Sequence, residues 1–144
     1  MDVPIESARS DDLPAILSLL DYHQLPHAAI DQHLDDTLVA RDGPRLVGCA
    51  AVERYGAAGL LRSVAVAEER RGTGLGIRLT TAALEHARTR GIRTVYLLTE
   101  TAAGFFPRFG FHPVARSAVA PAVRQSVEFT TACPDTALVM VKEL

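Results

Sequence analysis

The alternation of apolar and polar positions divides the chain into short β runs, two or three helical stretches and turns marked by Gly and Pro. Val3 to Ala8 reads as a short strand. Ser10, Asp11, Asp12 and Pro14 then supply a capping hydroxyl, two acids at the positive end of a helix dipole and a proline where its missing N–H costs little, predicting a helix over 11–20. Leu25-Pro26 interrupts the chain before a weaker helical stretch around 28–34. Thr37 to Ala40 and Arg45 to Tyr55 are apolar runs separated by Asp42-Gly43-Pro44, which predicts an antiparallel hairpin. A second turn at 56–59 leads into a β run over 60–67 and from there into a glycine cluster.

Beyond Gly74 the period changes. Leu75, Leu79, Ala83 and Ala87 fall four apart on one helical face, and Arg88, Arg90 and Gly91 form a cationic last turn with a stop, predicting a helix over 74–90. Thr94 to Thr99 follows as a strand, and strand, long helix, strand in that order is the signal of two parallel strands. A short helix over 102–109, a strand over 111–116, a segment of undetermined form over 121–129 and a closing strand over 136–142 complete the pattern.

Length and composition change this picture little. The 144 residues, 48% hydrophobic and 22% charged, suit a single globular domain spanning 1–144. A net charge of −2 offers no chain-wide attraction for nucleic acid or an anionic membrane, so any anion site must be local. The amino terminus lacks the basic and apolar regions of a secretion signal and no run of eighteen apolar residues occurs, so the expected location is the cytoplasm. Cys49 and Cys133 are too few for a disulfide framework or a soft-metal site, and no metal site is expected. His23 and His27 lack the glutamate of a zinc-protease helix, and His33, His86 and His112 have no recognisable partner.

The chemistry concentrates at Arg70-Arg71-Gly72-Thr73-Gly74-Leu75-Gly76, between an apolar strand and a well-formed helix. Successive N–H groups there can converge on one anion, with the helix dipole adding to their field and glycines allowing close approach. The segment lacks the Gly-Lys-Ser/Thr of a P-loop and the glycine spacing of a dinucleotide fold. Arg78 adds charge nearby.

Val64-Ala65-Val66 followed by Arg71-Gly72-Thr73-Gly74-Leu75-Gly76 resembles the acetyl-CoA segment of the GNAT N-acetyltransferase superfamily. Ala102-Ala103-Gly104-Phe105-Phe106-Pro107-Arg108-Phe109-Gly110-Phe111 is similar to that superfamily's second signature. The resemblance implies an α/β fold: a mixed, mostly antiparallel sheet of six to seven strands, with a splayed parallel pair, flanked by helices. It implies acetyl-CoA as co-substrate, with Val64, Ala65 and Val66 offering main-chain groups to the pantetheine arm. Arg71, Gly72, Thr73, Gly74, Leu75 and Gly76 would wrap the pyrophosphate, with Phe105, Phe106 and Arg108 contributing from the second motif. It also implies direct attack of an amine on the thioester. Many members place a tyrosine where this chain has Phe106, so that general acid is missing; water, Ser63, Tyr96 or Ser126 are substitutes. Glu100 and Glu128 are the candidate bases, with Glu53 third.

The stretches Leu61-Arg62-Ser63-Val64-Ala65-Val66, Leu97-Leu98-Thr99-Glu100-Thr101-Ala102, 121–129 and 133–137 resemble the GNAT subgroup named for arsenic resistance. That resemblance implies detoxification by acetylating the α-amine of an arsenical or phosphinic glutamate analogue, with Arg62 and Arg124 as cationic partners and Ser63 and Thr99 beside them. Other amines, such as a polyamine or a peptide amino terminus, and a non-catalytic acyl-CoA-binding regulator remain alternatives. The expected state is monomer or homodimer, with a small-molecule amine as partner.

Overall fold

A computed structural model describes residues 3–132 and 136–144. In chain order the elements are β1 (Ile5–Ser7), α1 (Leu13–Tyr22), β2 (Thr37–Asp42), β3 (Arg45–Tyr55), β4 (Ala58–Val66), α2 (Leu75–Thr89), β5 (Thr94–Thr99), β6 (His112–Pro113) and β7 (Leu138–Glu143). The strands form one sheet in the order β1-β2-β3-β4-β5-β7-β6, antiparallel except for β4 against β5. This is the mixed sheet with one parallel pair anticipated above.

Successive side chains of β3 face opposite sides of the sheet and divide the core into layers. Ala50 and Val52 join Leu75, Leu79, Ala83 and Ala87, the spaced face of α2. Cys49 and Ala51 join Ile16 and Leu20 of α1 on the other side. Leu60, Tyr96, Val119, Val123, Val139 and Val141 form a third cluster under the carboxy-terminal segment. Gly48 sets how closely α2 approaches: a Cβ there would lie 2.6 Å from Cδ1 of Leu79.

Several predicted elements are shorter or shifted. The 28–34 helix is a 3-10 segment at Ile30–Asp36. Only Phe106–Phe109 of the 102–109 helix is helical, as a 3-10 turn opened by Pro107 and stopped by Gly110 at φ 96°. The 111–116 strand contracts to His112–Pro113, where Pro113 has no N–H to extend the ladder. The 121–129 segment holds a 3-10 turn at Val123–Gln125, and a π turn follows at Glu128–Ala132. Cys133 lies outside the described residues.

Two ion-pair nodes anchor the elements around the sheet. Asp12, ahead of α1, pairs with Arg41 of β2, whose Nη1 donates to its Oδ1 at 2.6 Å. The hydrogen bond from Arg41 holds the Asp12 carboxyl below the usual carboxylate range. Asp36 accepts from Arg54 Nε at 2.7 Å and contacts His86 Nε2 at 2.8 Å, tying the β2 entry to β3 and α2. Burial alone would raise the Asp36 pKa, but these partners bring it below its ordinary value.

Leu79→Ala should lower the free energy of unfolding by about 2–5 kcal/mol in urea titration, because the fully buried side chain leaves a cavity against β3. The Asp12 carboxylate has its pKa lowered on folding, so its stabilisation is complete above the unfolded value of about 3.9 and is lost as pH falls through the folded value. Asp12→Asn should therefore reduce stability at neutral pH and flatten the acid limb of a stability–pH curve below about pH 4.

Candidate functional site

The parallel pairing of β4 with β5 lasts for three residue pairs, Ala58 with Thr94, Gly59 with Val95 and Leu60 with Tyr96. Beyond Leu60 the pairing ends, although β4 runs to Val66 and β5 to Thr99. A bulge lies within the same stretch of β4. Cys49 pairs with Ala65 but Ala51 with Arg62, so β4 carries one extra residue there, and Ser63 takes a left-handed φ of 58°. The unpaired ends of the strands wall an open cleft of about 500 Å³, lined by residues 61–66 of β4 and 97–102 at the end of β5, with His23, Pro26, Arg71, Phe106 and Glu128 closing its sides.

At one end of the cleft stands the glycine loop. Gly72 and Gly74 have φ of 76° and 85°, and their Cα atoms face open space. A side chain at either position would be strained by the backbone alone. Gly74 caps α2, and the first turn-closing bond of the helix runs from Arg78 N–H to Gly74 O at 3.0 Å. The N–H groups of residues 75–77 precede the helix's own hydrogen-bond ladder and therefore have no acceptor within it. Leu75 is buried in the α2 core and contributes main chain only to the loop surface. Gly76 brings the helix against the second motif, since a Cβ there would sit 3.6 Å from Phe105 Cζ. Thr73 Oγ1 donates to Arg70 O, closing the loop on itself.

The arginines divide by what they touch. Arg71 lines the cleft, and its Nη2 lies 3.1 Å from His23 Nδ1. His23 Nε2 in turn lies 2.8 Å from Val66 O, so that nitrogen carries the hydrogen and Nδ1 accepts from Arg71. Arg70 pairs with Asp42, Arg78 donates to Val3 O at 2.9 Å, and Arg108 stacks over Phe105 at 4.8 Å. Of the cations expected near the loop, Arg71 is the one on the cleft wall. Phe105 and Arg108 stand outside that wall, and Phe106 forms part of it.

The opposite end is a buried polar cluster. The Arg62 side chain has 0% exposure and Glu53 1%. Arg62 Nη1 donates to Glu53 Oε2 and to Ala28 O, both at 2.9 Å, while Nη2 donates to Pro26 O at 3.3 Å and Nε to Ser63 Oγ at 3.0 Å. Nη2 also lies 3.7 Å from Glu128 Oε2. Burial would push the Glu53 carboxyl up, but hydrogen bonds from Ser126, Tyr55 and Arg62 bring it below its ordinary value. Burial, reinforced by the Glu53 carboxylate, drives the Tyr55 hydroxyl up to about 12, so it remains a donor near neutral pH. Ser126 Oγ accepts from Glu128 N–H at 3.1 Å, fixing the base of that side chain.

The candidate bases differ in setting. Glu128 is 5% exposed on the cleft wall, whereas Glu100 is an exposed rim residue. Thr99 Oγ1 accepts from Ala102 N–H at 2.9 Å and shapes the turn leaving β5. Arg124 does not reach the cleft: it is exposed on the Val123–Gln125 turn, whose inward residue is Val123. The Cys49 thiol is fully buried, donates to Ser63 O at 3.2 Å and is pushed up to about 12 by burial. Tyr55, Pro26 and His23 were not singled out as site residues by the sequence. Tyr55 is two residues from Glu53 and shares its face of β3, a signal visible only once Glu53 is known to point inward.

Residues 33–113, more than half of the chain, match the model of the acetyltransferase (GNAT) domain. An uncharacterized N-acetyltransferase of Escherichia coli K12, YjhQ, is 38% identical over 74 residues, covering 51% of this chain and 40% of that protein. N-acetylglutamate synthase from Neisseria gonorrhoeae, solved with coenzyme A and N-acetyl-glutamate, superposes with a TM-score of 0.86 at 23% identity, over 100% of this chain and 35% of that one. Rv2747 from Mycobacterium tuberculosis, solved with CoA and NLQ, superposes with a TM-score of 0.82 at 24% identity, over 98% and 99% of the two chains. The chain thus spans well under half of the curated relative and about a third of the synthase. The two signatures, the broken parallel pair between them and the match across residues 33–113 lead to one conclusion: the chain belongs to the GNAT acetyltransferase family.

Proposed function

We propose that this protein is an acetyl-CoA-dependent N-acetyltransferase that modifies the α-amine of a small amino-acid-like acceptor. The observation that carries the reading is the cleft itself, which runs from a glycine loop with Arg71 at one end to the buried acid Glu128 at the other, along the unpaired main chain of β4. Acetyl-CoA, when bound, supplies an acyl group already activated as a thioester.

This chain's residues would do the rest. The N–H groups of residues 72–77 and the Arg71 guanidinium hold a pyrophosphate. Residues 64–66 present main-chain groups to an extended amide-bearing arm, and an N–H near Val64, turned by the bulge, stabilises negative charge developing on the thioester oxygen. Glu128 accepts the proton that the acceptor's ammonium must lose before attack, with Glu100 at the rim as a second route. Phe106 offers no proton to the departing thiolate. A thiol with a pKa of about 8.5 is nonetheless a workable leaving group near neutral pH, and general-acid help amounts to roughly 10²–10⁴-fold where it exists. The preferred acceptor is a glutamate analogue, arsenical or phosphinic. The stretches resembling the arsenic-resistance subgroup support that choice, as does the likeness of fold to a synthase crystallised with N-acetyl-glutamate.

A thiol-release assay with acetyl-CoA against arsenical and phosphinic glutamate analogues, amino acids, polyamines and peptides should give turnover on the glutamate analogues. Tight acetyl-CoA binding without turnover on any amine would instead indicate a cofactor-binding regulator. Gly74→Val should weaken acetyl-CoA binding by at least about tenfold in calorimetry, since it strains the backbone at φ 85° and displaces the loop N–H groups. Arg71→Glu should weaken it comparably, and unchanged affinity in both would show that the anion site lies elsewhere.

A further inference from the structure

We propose that Arg62 acts as a positioning residue that straps residues 23–29 over the acceptor end of the cleft, and does not itself bind the acceptor. The proposal rests on the N-acetyl transfer reading above and deepens it at the acceptor site. An arginine on the wall of a cleft meant for an amino acid invites the role of carboxylate clamp. Its donors are already used. Four hydrogen bonds run to Glu53, Ala28 O, Pro26 O and Ser63 Oγ, and the remaining direction of Nη2 faces Glu128 Oε2 at 3.7 Å. A guanidinium has five N–H donors, so none is left pointing into open space. No part of the side chain is exposed to solvent. A carboxylate could reach it only by displacing carbonyls or a carboxylate that now compensate a buried charge.

The partners show what Arg62 holds together. Glu53 lies on β3, Ser63 at the bulge of β4 and Glu128 on the carboxy-terminal segment, while Pro26 and Ala28 belong to the strap after α1. The strap carries two residues in left-handed conformations without being glycine, Gln24 at φ 57° and Ala29 at φ 63°. Such conformations persist only where surrounding contacts over-determine them. Arg62 supplies two main-chain tethers between those strained positions, and His23 supplies another to Val66 O. The strap in turn contributes His23 and Pro26 to the cleft wall. Glu53, itself held by Tyr55, keeps the guanidinium turned toward the strap.

The test uses Arg62→Lys and the near-isosteric Glu53→Gln in the full chain, each first shown to melt cooperatively; Glu53→Gln carries the test if Arg62→Lys does not fold. Hydrogen exchange on the protein without ligands should show faster exchange at the amides of residues 24–29 and unchanged protection in α2. Unchanged exchange in the strap overturns the proposal. Steady-state rates are then compared for a glutamate-analogue acceptor and for the same molecule with its carboxylate blocked as an amide. For both acceptors KM should rise by about tenfold, a factor matching the loss of charged hydrogen bonds, with the KM for acetyl-CoA unchanged. A loss confined to the carboxylate form makes Arg62 a ligand and overturns the proposal, as does a fall in kcat alone with both KM values unchanged. Absence of turnover in the unaltered protein defeats the transfer reading, and the exchange measurement still decides the strap.

Discussion

The parallel contact between β4 and β5 is both necessary and incomplete, and the site depends on that combination. Three residue pairs join the two halves of the sheet. Past Leu60 and Tyr96 the strands separate, leaving main-chain donors and acceptors of β4 facing a cleft in the middle of a sheet, where paired strands would leave none free. The bulge at Ser63 enforces the departure, because one extra residue turns the backbone and raises the local twist. Elements on both sides stabilise the gap: α1 and its strap from one face, α2 and the Phe105–Phe106 turn from the other.

Much of this was readable from periodicity. The spacing of Leu75, Leu79, Ala83 and Ala87 identified α2 because a helix face buried against a sheet leaves a pattern of four that no other element imitates. The hairpin of β2 and β3 followed from its turn residues. The glycine loop was legible for a similar reason: Gly72 and Gly74 both occupy a backbone region that other residues avoid. Local signals failed where tertiary pairing decides the outcome. The run 111–116 is β-prone, but only His112 and Pro113 pair in the ladder with β7, and Pro113 has no N–H to give it. The late segment alternates tight turns because Val119, Val123 and Ser126 each dip toward the sheet in succession, a spacing without a regular period.

The buried polar cluster of Arg62, Glu53 and Glu128 was the least legible part. Arg62 and Glu53 are not opposite one another on the strands; Arg62 pairs with Ala51 and Glu53 with Leu60, so they meet on a diagonal that exists only once the register is set. A charged residue directly after a run as apolar as 46–52 signals a buried partner, but the sequence does not say which. Nor does it reveal that the guanidinium spends its donors on carbonyls far along the chain. Arg124 is the reverse case: an arginine in the motif stretch whose turn leaves it exposed.

Cys49 lies beneath the bulge, its sulfur donating to Ser63 O and its ionisation suppressed by burial to about 12. A thiolate, and not a thiol, is the form that attacks electrophiles, and the native fold presents no thiolate at this position. The packing that shapes the β4 backbone also makes this sulfur chemically silent, so that the inertness of the thiol and the construction of the cleft share one cause.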